Sequence, residues 1–371
     1  MRNLIYVFIL AAFAAGCNQS QNNDSTSLKG AFEDSFYIGA ALNSSQFGGE
    51  SDDASIVNEH FNSITAENVM KWEIIHPEPD SFYFEEADKF VAFGEENDMF
   101  VIGHTLVWHS QTPQWVFEDE DGNQLSRDAL LERMRDHIFA VTERYKGKVH
   151  GWDVVNEALN EDGSMRESPW YNIIGEDFVA KAFEFANEAD PDAELYYNDY
   201  SLNNPAKRDG AVRLVKSIQE QGIRVTGIGM QGHYGLDYPT NEELEASITA
   251  FGELGIVAIT ELDMDVLPSA SGYQGADVSA TAEMDERLNP YADGLPDSVV
   301  QQQTTQFENF FRIFLKHDDV INRVTFWGVT DQASWKNNWP IPGRTNYPLI
   351  FDRDGNPKPA ADAIRKLTDT E

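Results

Sequence analysis

The chain has 371 residues, 41% hydrophobic and 12% aromatic, enough apolar material for one large core or two modest ones. Its 27 Lys and Arg are outnumbered by 63 Asp and Glu, which gives a formal net charge of −36. Such a chain repels nucleic acids and anionic membrane surfaces, so the charge argues against both as partners. It is compatible with solubility alone or with a saline or cold habitat.

The N-terminal segment has the pattern of a secretion signal. A positive charge at Arg2 precedes the apolar run 4–15, which is too short to cross a bilayer comfortably and is typical of a signal peptide. The run ends in small residues before Cys17, the only cysteine, in a pattern that resembles a bacterial lipobox. We therefore expect residues 1–16 to be removed and Cys17 to be lipidated. The alternative is an ordinary secretory signal with an incidental cysteine.

The next residues, 17–27, are almost all polar and predict a flexible tether behind the lipidated cysteine. The protein is then expected to be secreted across the inner membrane and lipid-anchored to the bacterial outer membrane or cell surface. A single cysteine cannot form an intrachain disulfide, so the fold depends on core packing.

From residue 28 to 371, a buried strand followed by an amphipathic helix recurs, without a linker or short repeat. Short apolar runs that are rich in β-branched or aromatic residues predict parallel strands buried on both faces. These runs are 36–42, 63–69, 100–107, 149–155, 194–198, 225–230, 257–260 and 324–329.

Helical periodicity separates several of these strands. The clearest apolar faces are Leu130, Met134, Ile138, Val141 and Tyr145 after Ser126; Val212, Val215 and Ile218 before Gly222; Leu244, Ile248 and Phe251 before Gly255; and Phe307, Phe311 and Phe314. Eight strands alternating with helices predict the α/β class: a (β/α)8 TIM barrel in a single domain. The alternative is an open doubly wound sheet, but no glycine-rich phosphate loop follows the first strand.

Two predicted strands end in glutamates that could act together. The fourth strand ends at Asn156-Glu157, and the seventh reaches Glu261. In such barrels the active site lies at the carboxyl ends of the strands. Two facing carboxyl groups are what cleavage of a glycosidic bond requires, about 5–5.5 Å apart in a retaining enzyme. Taken alone, each glutamate is interpreted as a solvated charge at a strand end; the pairing on the fourth and seventh strands favours a catalytic role.

The other strand ends supply polar and aromatic side chains suited to a sugar, whose hydroxyls form its rim and whose C–H groups form its faces. They are Glu67, Asn68, Lys71, His104, Trp108, Tyr200, Gln231, His233, Trp327 and Trp335. Trp115, Trp152 and Trp170 are instead expected to pack in the core. The eight histidines show no H-E-x-x-H spacing and the chain has no G-x-S-x-G elbow, so we expect neither a metal nor a serine nucleophile.

Six motifs, in this order, together resemble glycoside hydrolase family 10, the endo-β-1,4-xylanases, over about residues 30–368. They are Glu67-Asn68-x-Met70-Lys71-Trp72, Gly103-His104-Thr105-Leu106-Val107-Trp108, Trp152-Asp153-Val154-Val155-Asn156-Glu157-Ala158, Gln231-Gly232-His233, Thr260-Glu261-Leu262-Asp263 and Trp327-Gly328-Val329-x-Asp331. The resemblance implies hydrolysis of internal linkages in xylan and xylo-oligosaccharides by a retaining double displacement. It implies no cofactor, and we expect a monomer.

The resemblance also implies residue roles. Glu157 would be the acid/base and Glu261 the nucleophile; His233 would hydrogen-bond the nucleophile, and Asp263 would orient that histidine. Asn156 would contact the sugar 2-hydroxyl or the nucleophile. The glycone-side contacts would be Glu67, Asn68, Lys71, His104, Trp108 and Gln231, with Trp327 and Trp335 over the sugars at the cleavage point and Tyr200 on the aglycone side.

The chain departs from the family pattern at two places. Lys336 stands where an arginine is common, and the polar, acidic segment 267–296 is expected to form an extended loop over the aglycone side of the cleft.

Two other functions are kept open: a catalytically silent surface glycan-binding protein, and an exo-acting or cellobioside-active enzyme of the same fold.

Overall fold

The computed structural model describes residues 26–47, 52–269, 276–278 and 281–370. The predicted signal peptide, Cys17 and all but the end of the predicted tether lie outside the described residues. Within the described ranges, no helix is long and apolar enough to cross a membrane.

Eight parallel strands form a closed barrel, as predicted. Each pairs with its neighbour in chain order, and a pairing of the first strand with the last closes the ring. The strands are β1 Tyr37–Leu42, β2 Ser63–Ala66, β3 Phe100–Trp108, β4 Gly151–Asn156, β5 Glu194–Asp199, β6 Gly227–Met230, β8 Ile256–Asp265 and β9 Ile321–Phe326, with a short extra strand β7 His233–Gly235 paired to β8. The open-sheet alternative is therefore wrong.

Helices follow the strands and cover the outside of the barrel. They are α1 Leu28–Ala31, α2 Ser44–Phe47, α3 Asp52–His60, α4 Trp72–Ile75, α5 Glu85–Glu96, α6 Arg127–Arg144, α7 Pro169–Ile174, α8 Phe178–Ala189, α9 Pro205–Glu220, α10 Asn241–Gly252, α11 Asp297–Lys316 and α12 Pro359–Arg365. Ser126 caps α6 as its sequence predicts, and Thr240 with Glu243 forms a capping box on α10.

The main core lies between the barrel and its helices, where outward-facing strand residues meet apolar helix faces. On α11, Phe311 stacks on Phe326 of β9 with ring centroids 6.1 Å apart. Gly103 of β3 leaves room for Trp152 of β4, because a Cβ at position 103 would lie 2.1 Å from the indole. Trp152 and Trp170 are buried as expected, whereas Trp115 is only partly buried.

The strand that carries Glu261 is longer than the sequence predicts. The apolar run 257–260 predicts only its buried first half, but β8 continues through Glu261 to Asp265 because β7 pairs with its second half. The register of β7 sets His233 beside Asp263. This short strand, which the sequence analysis did not predict, therefore aligns two residues of the candidate site.

Candidate active site

A cavity of about 220 Å³ opens at the carboxyl ends of the barrel strands. It gathers side chains from all along the chain, including both candidate catalytic glutamates and nearly all the predicted sugar contacts. Its lining consists of Glu67, Asn68, Lys71, His104, Trp108, Gln111, Asn156, Glu157, Gln231, His233, Glu261, Ala276, Val278, Trp327 and Trp335.

Glu157 lies at the turn that ends β4, where its backbone adopts φ 58°, in the left-handed region. Its N–H donates to the Asn198 carbonyl at 2.9 Å. Its carboxylate accepts from Trp108 Nε1 at 2.9 Å and from Gln231 Nε2 at 3.0 Å. Burial raises the pKa of Glu157 to about 7, helped by the negative charges of Asp199 and Glu261 and opposed by these two hydrogen bonds.

The surroundings of Glu261 favour its charged form, whereas those of Glu157 favour the protonated form. His233 Nε2 lies 3.2 Å from Glu261 Oε2, and Asn198 Nδ2 donates to Oε1 at 2.7 Å. Burial acts to raise the pKa of Glu261, but these hydrogen bonds, with attraction to His104 and His233, outweigh burial and lower it. At neutral pH the geometry therefore favours a protonated fraction on Glu157 and an anion at Glu261.

His233 is held between two carboxylates. Its Nδ1 lies 3.0 Å from Asp263 Oδ2, opposite the contact with Glu261. Burial acts to lower the pKa of His233, but Asp263 and Glu261 overcome it and raise the pKa to about 9. A charged His233 strengthens the hydrogen bond to the Glu261 anion. Trp335 Nε1 donates to the same Asp263 oxygen at 2.8 Å, and Lys336 Nζ lies 3.6 Å from the other.

Three amides join the two glutamates. Asn156 Oδ1 accepts from Asn198 Nδ2 at 3.0 Å and from Gln231 Nε2 at 3.2 Å. Because Asn198 also donates to Glu261 and Gln231 also donates to Glu157, a continuous hydrogen-bonded chain runs from one carboxylate to the other. This chain restrains the two carboxylates relative to each other.

Several of the predicted glycone contacts touch one another at the cavity. Lys71 Nζ donates to Asn68 Oδ1 at 3.0 Å and to Gln111 Oε1 at 2.9 Å, and lies 5.1 Å from the centre of the Trp108 ring. Burial lowers the pKa of Lys71 and raises that of Glu67. The resulting surface offers charged and amide groups beside an indole, as a pyranose requires.

The predicted aromatic pair also borders the cavity. The Trp327 ring contacts His104 edge-on, with centroids 5.2 Å apart, and His104 Nδ1 lies 2.9 Å from Asp153 Oδ2. Trp335 is half-buried and held by its bond to Asp263. Both rings also lie edge-on to His233, with centroids 6.5 Å away for Trp327 and 5.0 Å away for Trp335, so both pack beside the histidine that contacts Glu261.

Tyr200 is the one predicted sugar contact that does not line this cavity. It lies behind Glu157, 6% exposed, and its hydroxyl accepts from Arg166 at 2.8 Å. The sequence places Asn198 at the end of the fifth predicted strand, among polar groups suited to a sugar, but assigns it no role, and it does not point to Gln111. Asn198 carried a usable signal, because a polar residue near the end of an apolar barrel strand points to the interior or the mouth; Gln111 carried none.

The long segment after β8 reaches the cavity through residues 276–278. Ala276 and Val278 line the cavity, and the Asp277 carbonyl accepts from Trp339 Nε1 at 2.9 Å. The Asp277 carboxylate lies 3.9 Å from Arg166, which follows β4 across the barrel mouth. Within the described ranges, no group of three or more His, Cys, Asp or Glu could hold a metal ion.

Comparison with known proteins decides the family. Residues 27–367 match the sequence model of glycosyl hydrolase family 10. The chain belongs to this family. An endo-1,4-beta-xylanase A from Xylanibacter ruminicola is 49% identical over 336 residues, which cover 90% of each protein. A solved GH10 endoxylanase from a sugarcane soil metagenome is 45% identical with a TM-score of 0.89, covering 92% of this chain and 100% of that one.

A second solved structure, of a mutant in complex with xylotriose, matches with a TM-score of 0.82 at 37% identity. It covers 91% of this chain and 99% of its own. At these identities and coverages, the family and the barrel are shared over essentially all of the described residues.

Proposed function

We propose that this protein is an endo-1,4-β-xylanase that hydrolyses internal β-1,4-xylosidic linkages. The observation that carries the proposal is the pair of buried glutamates, Glu157 and Glu261, that line one cavity at the carboxyl ends of the strands. Their surroundings raise the pKa of Glu157 and lower that of Glu261. Such a pair gives an acid and an anion at the same pH, as glycosidic cleavage needs. The endoxylanase names of relatives that share nine-tenths of the chain support the same substrate.

The proposed mechanism is a retaining double displacement. Glu261 attacks the anomeric carbon while Glu157 gives its proton to the leaving glycosidic oxygen, so the C–O bond to the leaving sugar breaks as a glycosyl ester forms. Glu157, now anionic, then takes a proton from a water molecule, whose oxygen attacks the anomeric carbon; the bond between that carbon and the Glu261 oxygen breaks and frees the carboxylate. Two inversions return the β configuration.

The surroundings of the glutamates suit these roles. His233 and Asn198 both contact the Glu261 carboxylate, so it is oriented and kept ionised for attack. Lys71, Asn68 and Glu67 supply a polar edge for the glycone sugars, and the complex of a structural relative with xylotriose is consistent with a chain of xylose units at such a site.

Product analysis tests the proposal. With soluble xylan, we expect reducing ends to appear with a rapid fall in viscosity and with oligosaccharides of mixed length, which shorten over time. Release of one small product from the start would favour an exo-acting enzyme. Binding of xylan without any hydrolysis would favour a surface glycan-binding protein. Glu261→Gln, which keeps the shape and removes the nucleophile, should bind xylan and release no product.

For the N-terminal region, which lies outside the described residues, we propose secretion followed by lipidation of Cys17. The support is the apolar run 4–15 ending in Ala15-Gly16-Cys17. The anchor would hold the enzyme at a cell surface where xylan fragments are released.

A further inference from the structure

A buried ion pair lies directly behind Glu157. Lys207 Nζ is 2.9 Å from Asp199 Oδ1, and both side chains are fully inaccessible to solvent. Asp199 ends β5, and Lys207 lies in the first turn of α9. Neither residue lines the catalytic cavity. A buried pair of charges is costly to desolvate, so its place beside an active site calls for a reason beyond stability.

The Asp199 carboxylate holds the chain just beyond Glu157. Its Oδ1 accepts from the Tyr200 N–H at 2.9 Å, and its Oδ2 accepts from the Tyr197 hydroxyl at 2.5 Å and from the Leu159 N–H at 3.4 Å. Leu159 is two residues after Glu157. The carboxylate of Asp199 therefore ties the segment that follows β4 to the end of β5.

Lys207 supports the same segment from its other side. Its ammonium lies 3.5 Å from the centre of the Tyr200 ring, and the Tyr200 hydroxyl accepts from Arg166 at 2.8 Å. Arg166 Nε in turn donates to the Glu157 carbonyl at 3.1 Å. Residues other than glycine rarely adopt the left-handed backbone conformation of Glu157. The contacts on both sides of this turn lead back to one ion pair and stabilise the turn.

We propose that Asp199 and Lys207 are a positioning pair for Glu157, which hold its turn and balance the charge that its carboxyl group experiences. The inference rests on the proposed acid/base role of Glu157. Neither residue touches the sugar; both act through the position and the proton affinity of Glu157.

The charges around Glu157 support a role of the pair in balancing the charge that its carboxyl group experiences. After burial, Asp199 is the largest cause of the raised pKa of Glu157. Lys207 partly cancels that negative charge and is itself held by Asp199 and by Glu161, 3.3 Å away. The remaining charged and titratable groups that face Glu157 or the pair are Glu261, Lys71, Arg166, His109, Tyr197 and Tyr200.

Two single variants that change the charge near Glu157 in opposite directions distinguish the proposed role of the pair from a purely structural role. The measured quantity is kcat/KM for a xylo-oligosaccharide as a function of pH, whose alkaline limb reports the free-enzyme acid. Asp199→Asn removes the negative charge and leaves Lys207, so the limb should move to lower pH by about 0.5–1 unit. Lys207→Met leaves Asp199 uncompensated, so the limb should move to higher pH by about as much.

Two further variants complete the design. The double variant Asp199→Asn/Lys207→Met should return the limb close to the wild-type position, and Lys207→Arg should keep it there. The matched control is Lys358→Met, because Lys358 and Asp331 form another buried pair, 3.1 Å apart, whose residues do not line the cavity. This control should lower the melting temperature without moving the limb.

The inference is overturned if the wild-type enzyme shows a clear alkaline limb and the limbs of Asp199→Asn and Lys207→Met either coincide with the wild-type limb or both move in the same direction. Should Lys207→Met not fold, the near-isosteric Asp199→Asn alone decides, since an unmoved limb is incompatible with the proposal. Failure of the proposed function looks different: Glu157→Gln would then hydrolyse the oligosaccharide as fast as the wild type.

Discussion

The raised pKa of Glu157 predicts an alkaline limit to catalysis on natural substrates. Burial and the neighbouring carboxylates move this pKa from 4.5 to about 7, a shift that corresponds to roughly 3 kcal/mol in favour of the protonated form. If the proton of Glu157 is needed for the first step, kcat/KM should be half its maximum at about pH 7, and about a tenth of it at pH 8. The lowered pKa of Glu261 places the acid limb below pH 4.5.

Two substrates with the same glycone make this prediction specific. A xylo-oligosaccharide has a poor leaving group, which must receive a proton as the bond breaks. A dinitrophenyl β-xylobioside has a leaving group that departs as an anion. We therefore expect the alkaline limb near pH 7 in kcat/KM for the oligosaccharide and a nearly flat profile up to pH 8.5 for the aryl glycoside. Activity assayed at pH 7 after incubation at each pH controls for unfolding.

The assignment of Glu157 as an acid with a pKa of about 7 is refuted if both substrates show the same limb, since the titrating group would then act on binding or on the fold rather than on the leaving group. It is also refuted if the oligosaccharide profile stays flat from pH 6 to pH 9. The first result would mean that Glu157 does not supply the proton, and the second that the proton does not come from a group with a pKa near 7.

Four further predictions are open to direct measurement. Glu157→Ala should stay nearly inactive on xylan, but azide should restore its turnover of the aryl glycoside and yield a β-glycosyl azide; no rescue would contradict the acid/base role. Trp335→Ala should raise KM or lower kcat with little change in melting temperature, whereas Trp170→Ala, in the core, should cost about 3–5 kcal/mol of stability; the reverse pattern would make Trp335 structural. Cys17→Ser, or globomycin, should release the protein from membranes, and unchanged fractionation in both would contradict lipidation. A chelator should leave activity intact; loss restored by one divalent ion would mean that the site uses a metal.

The barrel could be predicted from the sequence because each strand is buried on both faces and therefore reads as an uninterrupted apolar run. The run 149–155 and strand β4 Gly151–Asn156 coincide within two residues at either end. An apolar run does not mark the full strand where polar residues continue it. The second half of β8 carries Glu261 and Asp263, so it has no apolar run, and its extent depends on pairing with β7.

For the site, the sequence indicated which side chains stand at strand ends but not how they pair. Glu157 and Glu261 could be selected because each follows an apolar strand in a recognisable motif. Asn198 could not be linked to either glutamate, because both of its contacts join distant parts of the chain. Its side-chain amide donates to Glu261, and its backbone carbonyl accepts from the Glu157 N–H. The support of Glu157 by Lys207 is harder still to predict from the sequence, because it is indirect and passes through Asp199 and Tyr200.

The two glutamates differ by what surrounds them rather than by their depth, since both are buried. Glu157 has two carboxylates among its neighbours and neutral hydrogen-bond donors, Trp108 and Gln231, on its oxygens. Glu261 has a histidine that Asp263 holds in its charged form. In the proposed mechanism, esterification of Glu261 removes its negative charge, which is one of the causes that raise the pKa of Glu157. The pKa of Glu157 should then fall in the glycosyl-enzyme, so that the residue that gave the proton becomes the base that accepts one from water.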